Sequence, residues 1–441
     1  MHISSQKLIF IRGALILTAV SFCTRIIGFF YRIFLSRTFG AEGVGLYHLI
    51  FPVYALCISL SCAGIETALS RIVARYIALK NPLQAKAALK TAIFCSILIS
   101  LFCTVALQFL SPQIAVHFLN EDRCVILLKV MSYALPFASV HACICGYCLG
   151  LKQTHIPGIS QLLEQGVRVL GTWFLYLYVS HNSKTTGILV AVCGLVLGEI
   201  AACFYSIFST RKLLYVVPSS KISSFSLYKN CFSELLAHAA PLTANRITLN
   251  ILQSIEVVSI PKVLVVFGLS QKSALSHYGI LNGIAMPCIF FPCAITNAVS
   301  MMMLPTVAEI QAARQDQKLE HFIQKISGCC IFLGCICTIG FLIFADFLGN
   351  TVFQSPDACR YIRTLAFMCP FLYTNSTYIS VLNGLGKTTS TFCINIIGLS
   401  IRIAGVFFLI PHYGMFGYLI GLLSSQILIF FLCIRKLHKT L

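Results

Sequence analysis

Nine ionisable side chains fall inside strongly apolar stretches of this 441-residue chain: Arg25, Arg32, Arg168, Arg246 and Arg402, with Glu66, Glu164, Glu199 and Glu256. A charge surrounded by hydrocarbon is costly, so such residues mark a functional path by default. Five arginines against four carboxylates leave the set net cationic. Arginine's planar fork grips phosphate and carboxylate bidentately and stays charged when partly dehydrated, so the chemistry expected is capture of an anion. Arg25 and Arg32 stand seven residues apart on one helix face, and Gly28 between them leaves room for a bulky group to approach the backbone. Gln161, Glu164, Gln165 and Arg168 follow helical spacing and form a polar stripe. Glu164 and Arg168 are an i,i+4 pair, which leaves two readings: mutual neutralisation, or a stripe that faces a hydrated cavity and touches polar cargo. Arg246 and Glu256 stand among Asn245, Asn250 and Gln253, and Asn395 precedes Arg402 with no acid beside it. These amides suit hydroxyl-rich groups. Snorkelling to an interface is the plainer alternative for Arg25 and, more so, for Arg32. Glu199 has no evident partner along the sequence.

The segments that must position these residues are set by composition. The chain is 58% hydrophobic and 10% charged, against roughly 45–50% and roughly 25% in soluble domains. That excludes a soluble enzyme, and it excludes disorder, which requires low hydrophobicity. One membrane crossing takes about 20 apolar residues. Twelve apolar runs can be traced, from 12–36 to 414–434, so the fold class expected is an all-α polytopic membrane protein. The polar stretch 211–231 divides them into two sets of six, giving an N-terminal bundle at 1–215 and a C-terminal bundle at 216–441 around a central cavity. The net charge of +19 comes without a dense basic tract interleaved with aromatics, so no nucleic-acid partner is expected. Lys and Arg concentrate on the loops that share a side with both termini, which places those termini in the cytoplasm. The 22 cysteines lie mostly within apolar runs. His141, Cys143, Cys145 and Cys148 form one cluster, and Cys329, Cys330, Cys335 and Cys337 another; both are read as packing, because thiolates are costly in hydrocarbon. No metal and no organic cofactor are expected. Lys7 and Arg12 open an apolar run that continues past Arg25 to Phe34, which reads as a retained span and not a cleaved leader.

The two sets of spans echo one another. Gly150-Leu151 precedes Arg168 by the same interval, 18 residues, as Gly384-Leu385 precedes Arg402, and Gly171 and Leu175 match Gly405 and Leu409. Ile65, Ala68 and Ser70 likewise match Ile295, Ala298 and Ser300. Like-ordered matches on spans of the same direction describe a parallel repeat about an axis along the membrane normal. Helix breakers recur at Pro52, Gly64, Pro136, Pro241, Pro287 and Pro292. Proline removes a backbone bond and kinks a helix, and together these sites fit two bundles that rock about a central site.

Several motifs carry a family resemblance. Gly40-Ala41-Glu42-Gly43-Val44-Gly45-Leu46-Tyr47 with Phe51-Pro52-Val53-Tyr54 is one, and the run from Gly146-Tyr147 through Pro157, Ser160-Gln161, Glu164-Gln165 and Arg168-Val169 is a second. Tyr278-Gly279, Met286-Pro287, Leu304-Pro305 and Asn383-Gly384-Leu385-Gly386-Lys387-Thr388 complete the set. Across nearly the whole chain they resemble the stage V sporulation protein B group of polysaccharide transporters, in the multidrug/oligosaccharidyl-lipid/polysaccharide exporter superfamily, related to the lipid II flippase. The resemblance implies two pseudo-symmetric bundles, alternating access and export of an undecaprenyl-pyrophosphate-linked saccharide for wall, spore-cortex or polysaccharide synthesis. Arg25 matches the first-span arginine of the flippase pattern, whereas Arg32 is offset by one from the next basic position. The twelve runs fall two short of the lipid II flippase pattern, which weighs against lipid II itself as cargo. The partners implied are a lipid-linked oligosaccharide, membrane lipids and cell-wall synthesis enzymes, with Na⁺, H⁺ or the membrane potential as drive. Three rivals stay open: a cation-coupled multidrug exporter, which would want carboxylates deep in the N-terminal spans; a membrane-embedded glycosyl or acyl transferase, which would want an acid or histidine constellation near a sizeable loop; and a membrane scaffold.

Overall fold

The computed structural model describes residues 5–182, 187–215, 225–312 and 316–439. The described residues are helical or turn, with no strand among them. They form two compact units, Met1–Gly28 with Leu49–Ile251 and Phe29–His48 with Leu252–Leu441. The division expected at 215/216 borders residues 216–224, which lie outside the described residues.

The first helix, α1 (Ser5–Leu49), contributes to both units. Its helical path breaks at Gly40, with φ 70° and ψ 172°, a conformation open chiefly to glycine. In unit 1, α2 (Phe51–Ile58) passes through one π turn at Ser59–Ala63 into α3 (Gly64–Ala78). Gly64 lies where α3 meets a later helix: a Cβ there would collide with Thr243 Oγ1 and the Ala239 carbonyl. Helix α4 (Pro82–Gln113) opens with proline in its first turn and Asn81 accepting from the Gln84 amide at 3.3 Å, a sharp N-terminal stop for a 32-residue rod. The pair α5 (Cys124–Ser132) and α6 (Ala134–Gly150) bends by 42°, just before Pro136. Proline's ring excludes the backbone bond to residue i−4, here Ser132, so the break falls where that bond is lost. Then come α7 (His155–Asn182), α8 (Leu189–Tyr215) and α9 (Phe225–Val266), which runs without interruption through Pro241. Its residues to Ile251 belong to unit 1 and the rest to unit 2.

Unit 2 continues with α10 (Gln271–Ile280), a π turn at Leu281–Ala285, α11 (Met286–Phe290) and α12 (Cys293–Ala312). Pro287 opens α11 and Pro292 separates it from α12. The distal part of α1 packs here: a Cβ on Gly279 would meet the Ala41 carbonyl, and Arg37 donates to the carbonyls of Val352 at 2.6 Å and Thr351 at 3.1 Å. Next come α13 (Asp316–Asp346), α14 (Pro356–Ala366), α15 (Cys369–Gly384), α16 (Thr388–Ala404), α17 (Ile410–Tyr413) and α18 (Met415–His438).

The repeat extends to backbone conformation. Lys152 and Gly386, at the offset joining Gly150 to Gly384, are both left-handed. Each is followed by the same helix-ending bond, Gln153 N to Cys148 O at 2.8 Å and Lys387 N to Leu382 O at 2.9 Å. Asn120 and Gln354 hold the same offset and conformation, each after a π turn, at Ile114–Leu119 and Phe347–Val352. Two halves with low sequence identity thus end their helices by the same device.

The twelve expected runs fall on helices in this element order, some of them on two or more consecutive segments, as at α5–α6 and at α10–α12. Among the described residues, seven helices are long and apolar enough to cross a membrane, or eight if the α5–α6 pair counts as one, with Ile16–Ala78 long enough for more than one crossing. Their outer faces carry exposed Phe94, Phe102, Phe109, Phe332 and Ile343. Apolar side chains on the outside of apolar rods are what a lipid solvent permits. The protein is an all-α multi-pass membrane protein.

Candidate functional site

In unit 1 the polar stripe of α7 meets residues from three other helices. Arg168 pairs with Glu164 one turn before it, and its Nη2 also lies 4.0 Å from Glu199 Oε1 on α8. Tyr54 of α2 donates to that same Oε1 at 3.3 Å. The second oxygen of Glu199, Oε2, faces His141 Nδ1 of α6 at 4.0 Å. His141 Nε2 lies 2.9 Å from Ser160 Oγ in the first turns of α7. The side chains of His141, Glu164, Arg168 and Glu199 are 12–16% exposed, so their charges act through a poorly hydrated medium. Small residues make the approach possible: a Cβ on Gly198 would meet the Glu164 carbonyl, and one on Gly194 the Arg168 carbonyl. His141, Glu164 and Glu199 offer ligand atoms all within 4.8 Å of one another.

Unit 2 builds a smaller arrangement around Arg402 of α16. Arg402 Nε donates to Glu256 Oε1 of α9 at 2.7 Å, and Tyr418 OH of α18 donates to the same oxygen at 2.6 Å. Glu256 is 1% exposed, and its Oε2 is buried with no hydrogen-bond partner among the described residues.

The remaining sequence-derived candidates are placed as follows. Arg25 belongs to unit 1 and Arg32 to unit 2, both partly exposed on α1. A Cβ on Gly28 would meet nothing within 4 Å, so there is space at that position. Arg246 is exposed on α9, within electrostatic reach of Glu66 on α3. Asn250 bonds Ser59 Oγ at 2.5 Å and the Ala55 carbonyl at 3.2 Å, bracing the π turn of α2–α3. Gln161 is exposed and Gln165 partly so. Glu164 and Arg168 are paired, and Gln161 on the same stripe is exposed.

Sequence reasoning missed the partners of Glu199. His141 was grouped with cysteines, yet its ring turns to Ser160 and Glu199, while Cys145 lies 3.8 Å from Ser160 and Cys148 3.8 Å from Thr210. The second cysteine cluster is spread around α13, with Cys329 and Cys335 exposed and Cys330 buried. Tyr54 stands in the Phe51-Pro52-Val53-Tyr54 motif but nothing in its spacing points to Glu199, and Tyr418 carries no signal beyond being a tyrosine in an apolar run.

The polysaccharide biosynthesis protein family matches residues 10–311, more than half of the chain, and the MatE family matches residues 247–408. Stage V sporulation protein B of Bacillus subtilis (strain 168) is 26% identical over 99% of this chain and 85% of its own length. The lipid II flippase MurJ of the same organism is 23% identical over 80% of this chain and 65% of its own. Among solved structures, an inward-facing multidrug resistance MATE family transporter of the MOP superfamily aligns with a TM-score of 0.72 at 14% identity, covering 97% of this chain and 98% of that one. A MOP superfamily transporter from Pyrococcus furiosus Vc1 (DSM3638), described by its reversed binding-pocket polarity, aligns with a TM-score of 0.65 at 14% identity, covering 98% and 95%. At these identities the solved structures establish the fold. The chain belongs to the polysaccharide biosynthesis protein family and is a multi-pass membrane transporter with the fold of the MOP superfamily.

Proposed function

We propose that this transporter is a flippase that moves an undecaprenyl-pyrophosphate-linked saccharide or peptidoglycan precursor from the inner to the outer leaflet by alternating access. Both termini are cytoplasmic in this reading, cell-wall synthesis enzymes supply or consume the cargo, and the drive is an ion gradient or the membrane potential. The observation that carries it is the open space at Gly28 of α1, with Arg25 one turn before it in the same unit. A pyrophosphate needs a bidentate cationic donor and close approach to a backbone, and that position offers both. Arg246, Gln161 and Gln165 of the same unit add polar groups for the saccharide, while Arg168, paired with Glu164, bears on the head through its effect on local charge. The family match to polysaccharide biosynthesis proteins and the relative named lipid II flippase support the cargo class.

The test is a reconstituted assay. Vesicles holding the protein and an undecaprenyl-pyrophosphate-linked saccharide are probed with a membrane-impermeant lectin. The wild type should expose new saccharide with time. Arg25→Ala should slow exposure about tenfold or more, the loss of a charge-assisted contact, and Arg25→Lys should recover part of it. A wild type that moves no saccharide, or an Arg25→Ala variant as fast as wild type, overturns the proposal.

A further inference from the structure

Unit 2 holds polar atoms whose hydrogen-bonding capacity is not used up. Asn375 of α15 is buried and donates from Nδ2 to two oxygens of Gln426 on α18, the backbone carbonyl and Oε1, each at 2.9 Å. A backbone carbonyl can only accept, which fixes the Asn375 amide with Nδ2 toward Gln426. Asn375 Oδ1 therefore turns away, and it is buried with no hydrogen-bond partner among the described residues. Gln426 Oε1 is taken up as an acceptor, which leaves Nε2 as a donor on a partly exposed side chain. Glu256 repeats the pattern. Its Oε1 receives both Arg402 Nε and Tyr418 OH, while its Oε2 is buried without a partner among the described residues. Arg402 is partly exposed and donates here through Nε, so its fork keeps N–H groups to offer.

Helix packing and the repeat relate the two groups. A Cβ on Gly398 of α16 would meet Ser425, the residue before Gln426, and Arg402 stands one turn further along α16. Unit 1 has the same contacts. A Cβ on Gly171 would meet Gly194, as one on Gly405 would meet Gly421, and Gly198 meets Glu164 as Ser425 meets Gly398. The residue after Gly198 is Glu199, which lies 4.0 Å from Arg168. Gln426 thus holds the place of Glu199, and Arg402 that of Arg168. The offset of Gly150 to Gly384 likewise puts Asn375 where unit 1 has His141, and Gly398 where it has Glu164. Unit 2 has amides where unit 1 has an imidazole and a carboxylate.

We propose that Asn375, Gln426, Arg402 and Glu256 form a recognition site for an uncharged group that donates and accepts side by side, the hydroxyl or amide of a saccharide. The charges of Arg402 and Glu256 cancel, and the two amides add none. The unused atoms are of both kinds: Asn375 Oδ1 and Glu256 Oε2 call for donors, whereas Gln426 Nε2 and the Arg402 fork supply them. An oxyanion only accepts, so it would leave both buried oxygens unmatched, at the full desolvation cost of each. A cation would match those oxygens but stand beside Arg402. A sugar hydroxyl or acetamido group gives one hydrogen and takes another. A site whose buried polar atoms are completed by the ligand rejects strongly an analogue that cannot complete them. That this saccharide is the one carried on the transported lipid rests on the flippase reading; that it binds does not.

The test uses the full chain in lipid nanodiscs and saturation-transfer NMR with three probes: methyl glucoside, N-acetylglucosamine and inorganic pyrophosphate. At least one of the two neutral sugars should receive saturation from the wild type, and excess pyrophosphate should leave that signal in place. Methyl glucoside as the better probe marks a reader of hydroxyls, N-acetylglucosamine a reader of amides. Asn375→Leu and Gln426→Met should each weaken sugar binding about two- to tenfold, the loss of one neutral hydrogen bond. Glu256→Gln leaves the charge of Arg402 uncancelled and should let pyrophosphate compete with the sugar. The proposal is overturned if neither sugar binds, if pyrophosphate displaces the sugar from the wild type, or if Asn375→Leu and Gln426→Met bind as well as the wild type. The wild-type competition and Gln426→Met decide if Asn375→Leu does not fold. Sugar binding without flipping would leave this site standing, and flipping without sugar binding would leave the flippase standing, so the two readings fail separately.

Discussion

Arg168 and Arg402 occupy the same place in the repeat, yet they are neutralised by different means. In unit 1, Arg168 works against two carboxylates from its own helix and α8, with a histidine at the edge. In unit 2 the positions of Glu164, His141 and Glu199 are taken by glycine and two amides, and the counter-charge comes instead from Glu256 on α9, clasped by Tyr418. The difference teaches that a duplicated scaffold can keep its helix contacts while one half carries ionisable side chains where the other carries amides. Around Arg402 one cation faces one anion, whereas Arg168 stands between two carboxylates.

That contrast can be broken most forcefully at the arginines. Arg402→Ala leaves Glu256 buried and unmatched, which should cost about 3–5 kcal/mol of stability, read by denaturant unfolding in detergent micelles. The joint change Arg402→Met with Glu256→Leu should restore most of it, because a well-packed apolar pair replaces a buried ion pair at little cost. Arg168→Ala should cost less, about 1–3 kcal/mol, since Glu164 is 16% exposed where Glu256 is 1% exposed. Equal losses in the two variants would erase the distinction between the units.

Backbone approach offers a smaller contrast. A Cβ on Gly279 would strike the Ala41 carbonyl and the Gly45 backbone, so Gly279→Ala should destabilise unit 2 by about 1–3 kcal/mol. Gly28 has open space, and Gly28→Ala should gain about 0.5–1 kcal/mol from helix propensity alone. The same Gly28→Ala protein should flip cargo more slowly if that space is where the head group docks. The tyrosines differ by the bond that each makes. Tyr418→Phe removes a 2.6 Å bond to a fully buried carboxylate and should cost about 1.5–3 kcal/mol. Tyr54→Phe removes a 3.3 Å bond and should cost about 0.5–1.5 kcal/mol. Thermal unfolding of the two variants in one detergent checks the order.

Much of this was legible in the sequence for a simple reason: lipid imposes long apolar runs, and a repeat preserves spacing. The twelve runs, the Arg168–Arg402 correspondence and the Glu164–Arg168 pair follow from residues close in the chain or at one fixed offset. The partners of Glu199 do not. Tyr54, His141 and Glu199 come from α2, α6 and α8, far apart in sequence. Their unit 2 counterparts were hidden because the offset changes between α7 and α8, where the connecting segment differs in length. Gly64 was read as a breaker; beyond following a π turn, it makes room for Thr243, a packing role that spacing alone does not reveal. Arg32 and Arg25 read as one seven-residue pair, whereas the compact units divide α1 between them at Gly28.

The central claim is that the cargo is recognised as an anion. It is tested most directly by comparing, in the same proteoliposomes, transfer of an undecaprenyl-pyrophosphate-linked saccharide, the same saccharide on an uncharged lipid, and a lipophilic cationic dye. The account predicts transfer of the pyrophosphate cargo alone, inhibited by free pyrophosphate and slowed in Arg25→Ala. Transfer of the cationic dye in preference to the pyrophosphate lipid would contradict it and favour a multidrug exporter.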